Sequence, residues 1–277
     1  MLRSAFALLL LAAAGLFAPA HAETTQCTVI EALPAVISKS GVYCLQRDLS
    51  TSVGTGAAIT INANSVTLDC NAHKLGGLAA GIETQAVGIY AYNRANATIR
   101  NCKIRGFSWG IGLFGAAGGG HLVEGNHFDG NTYTAIHVNG DGSMIRGNLV
   151  YSTGGGVYGG GWTQGIESQG DNSVIDNTIW GMTPITSRND TQGITIGNNT
   201  AGMVSGNRVS GLAGEFNLGI RLYDTASRVR VVDNSFDAST WIVYCDVAGA
   251  AMIRDNLFSG GSVHGNCVDA GGNFEQP

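Results

Sequence analysis

Short apolar runs punctuated by asparagine recur along this chain. Val123-Glu-Gly-Asn126-His-Phe128 is followed by Ile145-Arg-Gly-Asn148-Leu-Val150, Val174-Ile-Asp-Asn177-Thr-Ile179 and Val204-Ser-Gly-Asn207-Arg-Val209. Two further copies, Val231-Val-Asp-Asn234-Ser-Phe236 and Ile253-Arg-Asp-Asn256-Leu-Phe258, complete the set. An earlier copy, Ile99-Arg-Asn-Cys102-Lys-Ile104, carries cysteine where the others carry asparagine. Successive asparagines are separated by 22, 29, 30, 27 and 22 residues. A second motif lies between the copies, as in Gly88-Ile-Tyr-Ala-Tyr, Gly110-Ile-Gly-Leu-Phe, Ala135-Ile-His-Val-Asn, Gly165-Ile-Glu-Ser-Gln, Gly193-Ile-Thr-Ile-Gly, Gly219-Ile-Arg-Leu-Tyr and Trp241-Ile-Val-Tyr-Cys. Each repeat therefore predicts three short strands. Alternation points the Ile and its second neighbour inward and the residue between them outward.

A unit this small cannot bury its own apolar face and must stack on copies of itself. Stacking in register, about 4.8 Å per rung, turns each set of equivalent residues into a column. An asparagine at a tight turn in every rung can pass amide hydrogen bonds to its neighbours, pairing backbone groups that would otherwise be buried alone. The asparagines are thus expected to be structural. The predicted class is all-β, with three strands per rung, about 8–9 rungs and an asparagine ladder.

These motifs resemble the right-handed parallel β-helix proteins of the pectate-lyase-like superfamily. The segments "ALPAVISKSGVYCLQRDL" and "ITINANSVTLDCNAHKLGG" are similar to the N-terminal region of bacterial β-helix repeat proteins. The resemblance covers nearly the whole chain after residue 22 and implies a single-stranded right-handed parallel β-helix over 58–261. Residues 23–57 would cap one end and residues 262–277 the other, closing sheet edges that otherwise template aggregation. The fold hosts several activities, so it implies no single function.

The first 22 residues have the make-up of a secretory signal peptide: Arg3, an apolar run over 5–17, and the small-x-small site Ala20-His21-Ala22. A secreted or periplasmic chain starting at Glu23 is expected, with no membrane span after cleavage. Six cysteines in an exported chain point to three disulfides. In sequence they fall as Cys27 with Cys44, Cys70 with Cys102, and Cys245 with Cys267, although sequence does not fix connectivity. The resemblance would make the first pair a staple of the N-terminal cap and set the others about one repeat apart. A net charge of −5 and 13% charged residues give no basic surface for nucleic acid. A monomer is expected.

In relatives of this fold, substrate lies across the outward surface of the first strand. Here that column reads Tyr90, Gly112, His137, Glu167, Thr195, Arg221, Val243, and the column two residues on reads Tyr92, Phe114, Asn139, Gln169, Gly197, Tyr223, Cys245. The longest connections, 151–164 and 180–192, border the same rungs, and long loops on a rigid scaffold are where function concentrates. His137 and Glu167 are predicted to neighbour one another, so the carboxylate would orient the imidazole and raise its basicity. Arg221 would neutralise a substrate carboxylate and Tyr223 would deliver a proton. Tyr90, Tyr92, Phe114, Asn139, Gln169, Thr195, Tyr158 and Trp162 are candidate substrate contacts. The alternative for all of them is a solvated strand face with an incidental ion pair.

No cluster of aspartates suits inverting hydrolysis, and Glu167 alone does not make a calcium site. The resemblance implies a polysaccharide partner, and with these departures no cofactor and no metal are expected. The activity expected is a metal-independent lyase or epimerase on uronate-containing glycan. The alternative is a non-catalytic carbohydrate-binding or cell-envelope structural protein. A periplasmic accessory handling a metal is disfavoured because no ligand cluster is visible.

Overall fold

A computed structural model describes residues 26–158, 162–186, 190–198, 201–223, 226–246 and 251–276. The expected signal peptide, residues 1–22, lies outside them. The chain winds as a parallel β-solenoid of about nine turns, each with three strands. Among the described residues the second-face strands, with short ones added at the two ends of the solenoid, form one sheet of eleven, from Thr28–Val29 through Leu122–Glu124 to Val268–Asp269. The first face runs from Ala35–Ile37 and Ala57–Ile61 through Thr134–Asn139 and Thr163–Gln169 to Phe216–Tyr223. The third runs from Leu49–Ser50 and Lys74–Gly76 through His127–Asp129 and Leu149–Tyr151 to Arg208–Leu212. Ser235–Cys245 and Leu257–Gly265 then turn the corner from third face to first as continuous strands.

Alternation along each first-face strand sends apolar side chains inward. Ile136 and Val138 are fully buried on either side of His137, as are Ile220 and Leu222 on either side of Arg221. The glycine that opens most of these strands sits where the chain passes close to the next rung. A Cβ at Gly110 would lie 2.6 Å from the Ala135 carbonyl, and one at Gly165 2.6 Å from that of Gly193.

The asparagines form a continuous buried stack in the turn between second and third faces. Each Nδ2 donates to the Oδ1 one turn on, Asn126 to Asn148 at 3.0 Å, Asn148 to Asn177 at 3.0 Å, and Asn177 to Asn207 at 2.9 Å. The stack continues through Asn234 and Asn256 to Asn273, which the repeat pattern did not reveal. Each Nδ2 also binds a carbonyl of the preceding turn, as Asn177 does at Ile145. At the other end the Cys102 N–H donates to Asn126 Oδ1 at 3.0 Å, and the Cys70–Cys102 disulfide carries the column onward. Cys27–Cys44 and Cys245–Cys267 are also bonded. At the two ends, residues 28–50 and 257–276 wind as further turns of the solenoid.

One expected register is corrected. Matching Ile242 to the Ile of the other repeats put Val243 and Cys245 outward. The strand instead has irregularities between Ala238 and Val243, so Val243 pairs with Ile220, Tyr244 with Arg221, and Cys245 with Leu222. Val243 and Cys245 are buried, and Tyr244 takes the outward place.

Candidate functional site

The first-face column, read rung by rung, is Tyr90, Gly112, His137, Glu167, Thr195, Arg221, Tyr244, His264. Parallel register makes His137 and Glu167 direct neighbours, and His137 Nδ1 lies 2.8 Å from Glu167 Oε2. The other carboxylate oxygen accepts from Gln169 Nε2 at 2.9 Å and from the Tyr223 hydroxyl at 3.1 Å. Gln169 also donates to the Tyr223 oxygen at 2.8 Å and accepts from Asn139 at 3.2 Å. Burial works against ionisation of Glu167. Hydrogen bonding and charge from His137, with hydrogen bonds from Gln169 and Tyr223, outweigh it and hold the carboxyl below its ordinary value.

Two glycines let aromatic rings fold onto this pair. The Phe114 ring overlies Gly112, where a Cβ would collide with it, and stacks on the His137 imidazole at 4.6 Å and 26°. Tyr223 overlies Gly197 in the same way and so spans two rungs to reach Glu167. The His137 residue is 7% exposed in consequence. Tyr90 and Trp109 extend the aromatic surface beyond Phe114, with ring centroids 5.7 and 6.1 Å from it.

The other expected residues divide. Arg221 is not in the His137–Glu167 pair, being two rungs beyond Glu167. Its guanidinium pairs with Asp246 at 2.8 Å and lies within 6 Å of the rings of Trp162, Tyr223 and Tyr244. Trp162 is therefore brought over the first face. Thr195 faces outward but is 1% exposed, its hydroxyl held by Gln192 at 2.6 Å and Gln164 at 3.2 Å. Tyr92 and Tyr158 are exposed. Sequence reasoning missed Trp241, Tyr244 and His264, whose rings pack mutually at 4.8–5.0 Å past Arg221. The signal available was the run of aromatics in "TWIVY", hidden by the register shift.

A family profile described as periplasmic copper-binding protein (NosD) matches residues 22–249. The chain belongs to the NosD family. The three disulfides suit an oxidising compartment, in keeping with a periplasmic or extracellular location. The comparison with curated proteins finds no match. Among solved structures, the tailspike protein of E. coli bacteriophage HK620 in complex with pentasaccharide is similar, with a TM-score of 0.50 and 14% identity over 90% of this chain. The match spans 55% of that tailspike chain, so this chain covers about half its length. The catalytic unit of the GH87 α-1,3-glucanase from Streptomyces thermodiastaticus strain HF3-3 has a TM-score of 0.47 and 13% identity, covering 87% of this chain and 63% of that one. The tailspike likeness speaks to fold alone.

The donors among the described residues do not assemble a copper site. Among the described residues no group of three His, Cys, Asp or Glu side chains is placed to hold a metal. All six cysteines are in disulfides, and His121 Nδ1 accepts the Ala97 N–H in a buried turn. The outward methionines of the second face, Met144, Met203 and Met252, stand on alternate rungs with Ser173 and Arg230 between them. Soft copper ligation needs several such donors around one ion.

Proposed function

We propose that the protein is a polysaccharide-active β-helix of the periplasm or extracellular space, acting on uronate-containing glycan as a metal-independent lyase or epimerase. The observation that carries this reading is a carboxylate gripped from two sides, with His137 at 2.8 Å and Tyr223 at 3.1 Å, on the outward face of a rigid sheet. With Nδ1 committed to Glu167, the imidazole presents Nε2 as the base that takes the proton α to a uronate carboxylate. Tyr223 supplies a proton to the oxygen that leaves when the adjacent C–O bond breaks, giving an unsaturated end. In an epimerase the proton is returned to the opposite face of the same carbon. Arg221, beside Tyr223, is the cation that would meet the substrate carboxylate once Asp246 yields it.

The second reading is glycan binding without turnover, favoured by one observation. His137 is 7% exposed beneath Phe114, so a substrate must displace that ring to reach Nε2. Copper handling, the property in the family's description, is not part of either reading because the donors among the described residues do not fit.

Mass spectrometry of alginate, polygalacturonate and neutral glucans incubated with the mature chain in heavy water tests the assignment. Unsaturated fragments are expected for a lyase, and deuterium uptake without cleavage for an epimerase, each abolished by His137→Ala. Glycans bound but unchanged would leave the binding reading, and no glycan bound or altered would sink both.

A further inference from the structure

The third face carries a second concentration of chemistry, pointing away from the site described above. The chain has three lysines in all, yet Lys74 and Lys103 stand on adjacent rungs of one column, with His127 on the rung after. Arg105, two residues beyond Lys103, shares the patch, and Asp48, Lys74, Lys103, Arg105, His127 and Asp129 line one depression. Like charges directly opposite one another across a sheet destabilise it, and this protein is acidic overall, at −5. Asp48 offsets Lys74 at 3.3 Å and Asp129 offsets Arg105 at 3.1 Å. Lys103 is solvent-exposed and has no carboxylate within ion-pair distance among the described residues.

The same strip continues into aromatic surface. Asp129 is followed in its column by Tyr151 and then Trp180, 39% and 47% exposed, their rings stacked at 4.9 Å and 16°. Gly211 on the next rung keeps the backbone low beneath Trp180, where a Cβ would lie 2.8 Å from the indole nitrogen. The rings are thus pre-ordered, exposed, and outside the core. From Lys74 to Trp180 is four rung steps, about 19 Å along the axis.

We propose that this strip of the third face is a binding surface for an acidic polysaccharide lying along the solenoid axis. The cations of Lys74, Lys103 and Arg105 meet its carboxylate or sulfate groups, and Tyr151 and Trp180 contact its sugar rings. Charge complementarity selects an anion, and the exposed ring pair selects a ligand with apolar ring faces rather than a simple salt. The inference shares only a ligand class with the first-face reading. It would position a polymer on the protein whether or not chemistry occurs there.

Affinity electrophoresis of the full mature chain in gels containing alginate, with dextran as the neutral control, tests it. Wild type should be retarded by alginate and not by dextran, less so as salt rises. Lys103→Gln and Trp180→Ala should each weaken retardation, roughly fivefold in apparent Kd, and the double variant further. Both residues are exposed, so folding should be unaffected, as circular dichroism would check. His137→Ala with Tyr223→Phe should retain retardation that depends on Lys103 and Trp180. Retention equal to wild type in the Lys103→Gln/Trp180→Ala variant would overturn the inference, as would equal retardation by dextran or none by alginate. Because the first-face variants are scored separately, loss confined to them would overturn this proposal while leaving the first-face reading intact.

Discussion

Two columns of side chains run along this solenoid, one buried and one facing outward, and they are built on opposite principles. In the turn between second and third faces every rung from Asn126 to Asn256 repeats one residue and one set of hydrogen bonds, and Asn273 accepts the last of them. On the first face no two neighbours match: Gly112, His137, Glu167, Thr195, Arg221, Tyr244. The amide can be repeated because it both donates and accepts, so identical rungs satisfy one another. A carboxylate or imidazolium cannot, since copies one rung apart would repel. Repetition therefore marks what holds the solenoid up, and its interruption marks where the scaffold carries something else.

Breaking the repeated column should cost most. Asn177 donates to Ile145 O at 3.0 Å and Asn207 Oδ1 at 2.9 Å, while its own Oδ1 accepts from the Asn148 backbone at 3.0 Å and side chain at 3.0 Å. Asn177→Ala removes all four bonds and strands their partners in the interior. A loss of about 3–5 kcal/mol is expected, measured by denaturant unfolding. A loss below about 1 kcal/mol would mean that the stack is a consequence of the fold and not a support of it.

A third column sharpens the contrast because it is varied yet structural. In the turn between first and second faces the His121 N–H donates to Ser143 Oγ at 3.1 Å, and the Ser143 N–H to Asn172 Oδ1 at 2.8 Å. His121 lies in this turn, just ahead of the second strand, and its Nδ1 accepts from the Ala97 N–H at 3.2 Å, which requires a neutral ring. Burial pushes its pKa from 6.5 down to about 4. Above pH 6.5 both folded and unfolded chains hold it neutral and its contribution is fully present. Between pH 6.5 and 4 the unfolded chain takes up a proton that the native chain refuses, and stability falls by up to about 3 kcal/mol. Unfolding curves across that range should slope accordingly in wild type and flatten in His121→Asn, which places an acceptor like that of Asn172 in the column. Equal slopes in both proteins would remove His121 from this role.

What the sequence made legible follows the same division. Stacking forces the same residue into each rung, so the strands, the inward isoleucines and the asparagine column were readable from period alone. Asn273 escaped because "AGGNF" lacks the β-branched residue that precedes the other asparagines. The slip at Val243 arose because Ile242 and Val243 are adjacent and equally apolar, so periodicity fits either and a bulge decides. The adjacency of His137 and Glu167 was readable because it needs only register. Their covering was not, because it depends on rings reaching across positions where a Cβ is missing. Nor was the Arg221–Asp246 pair, since Asp246 follows the shifted strand.

The smallest effect expected on stability is the most direct probe of that covering. Gly197 lies between Glu167 and Tyr223 in the route the phenol takes, and a Cβ there would come within 2.6 Å of Tyr223 Cε1 and 2.7 Å of its hydroxyl. In the repeated columns an extra methyl would meet a packed interior. Here the ring is partly exposed and can swing outward, so Gly197→Ala should cost only about 1 kcal/mol. The swing breaks the bonds from Tyr223 to Glu167 and from Gln169 to Tyr223. Glu167 then loses one of the hydrogen bonds that hold its carboxyl down, and its pKa should rise relative to wild type. Carboxyl-carbon NMR titration would read this, with Tyr223→Phe moving the resonance in the same direction. If Tyr223→Phe shifts the titration and Gly197→Ala does not, the missing Cβ is not what lets Tyr223 reach across, and the interruption at Gly197 has no part in the site.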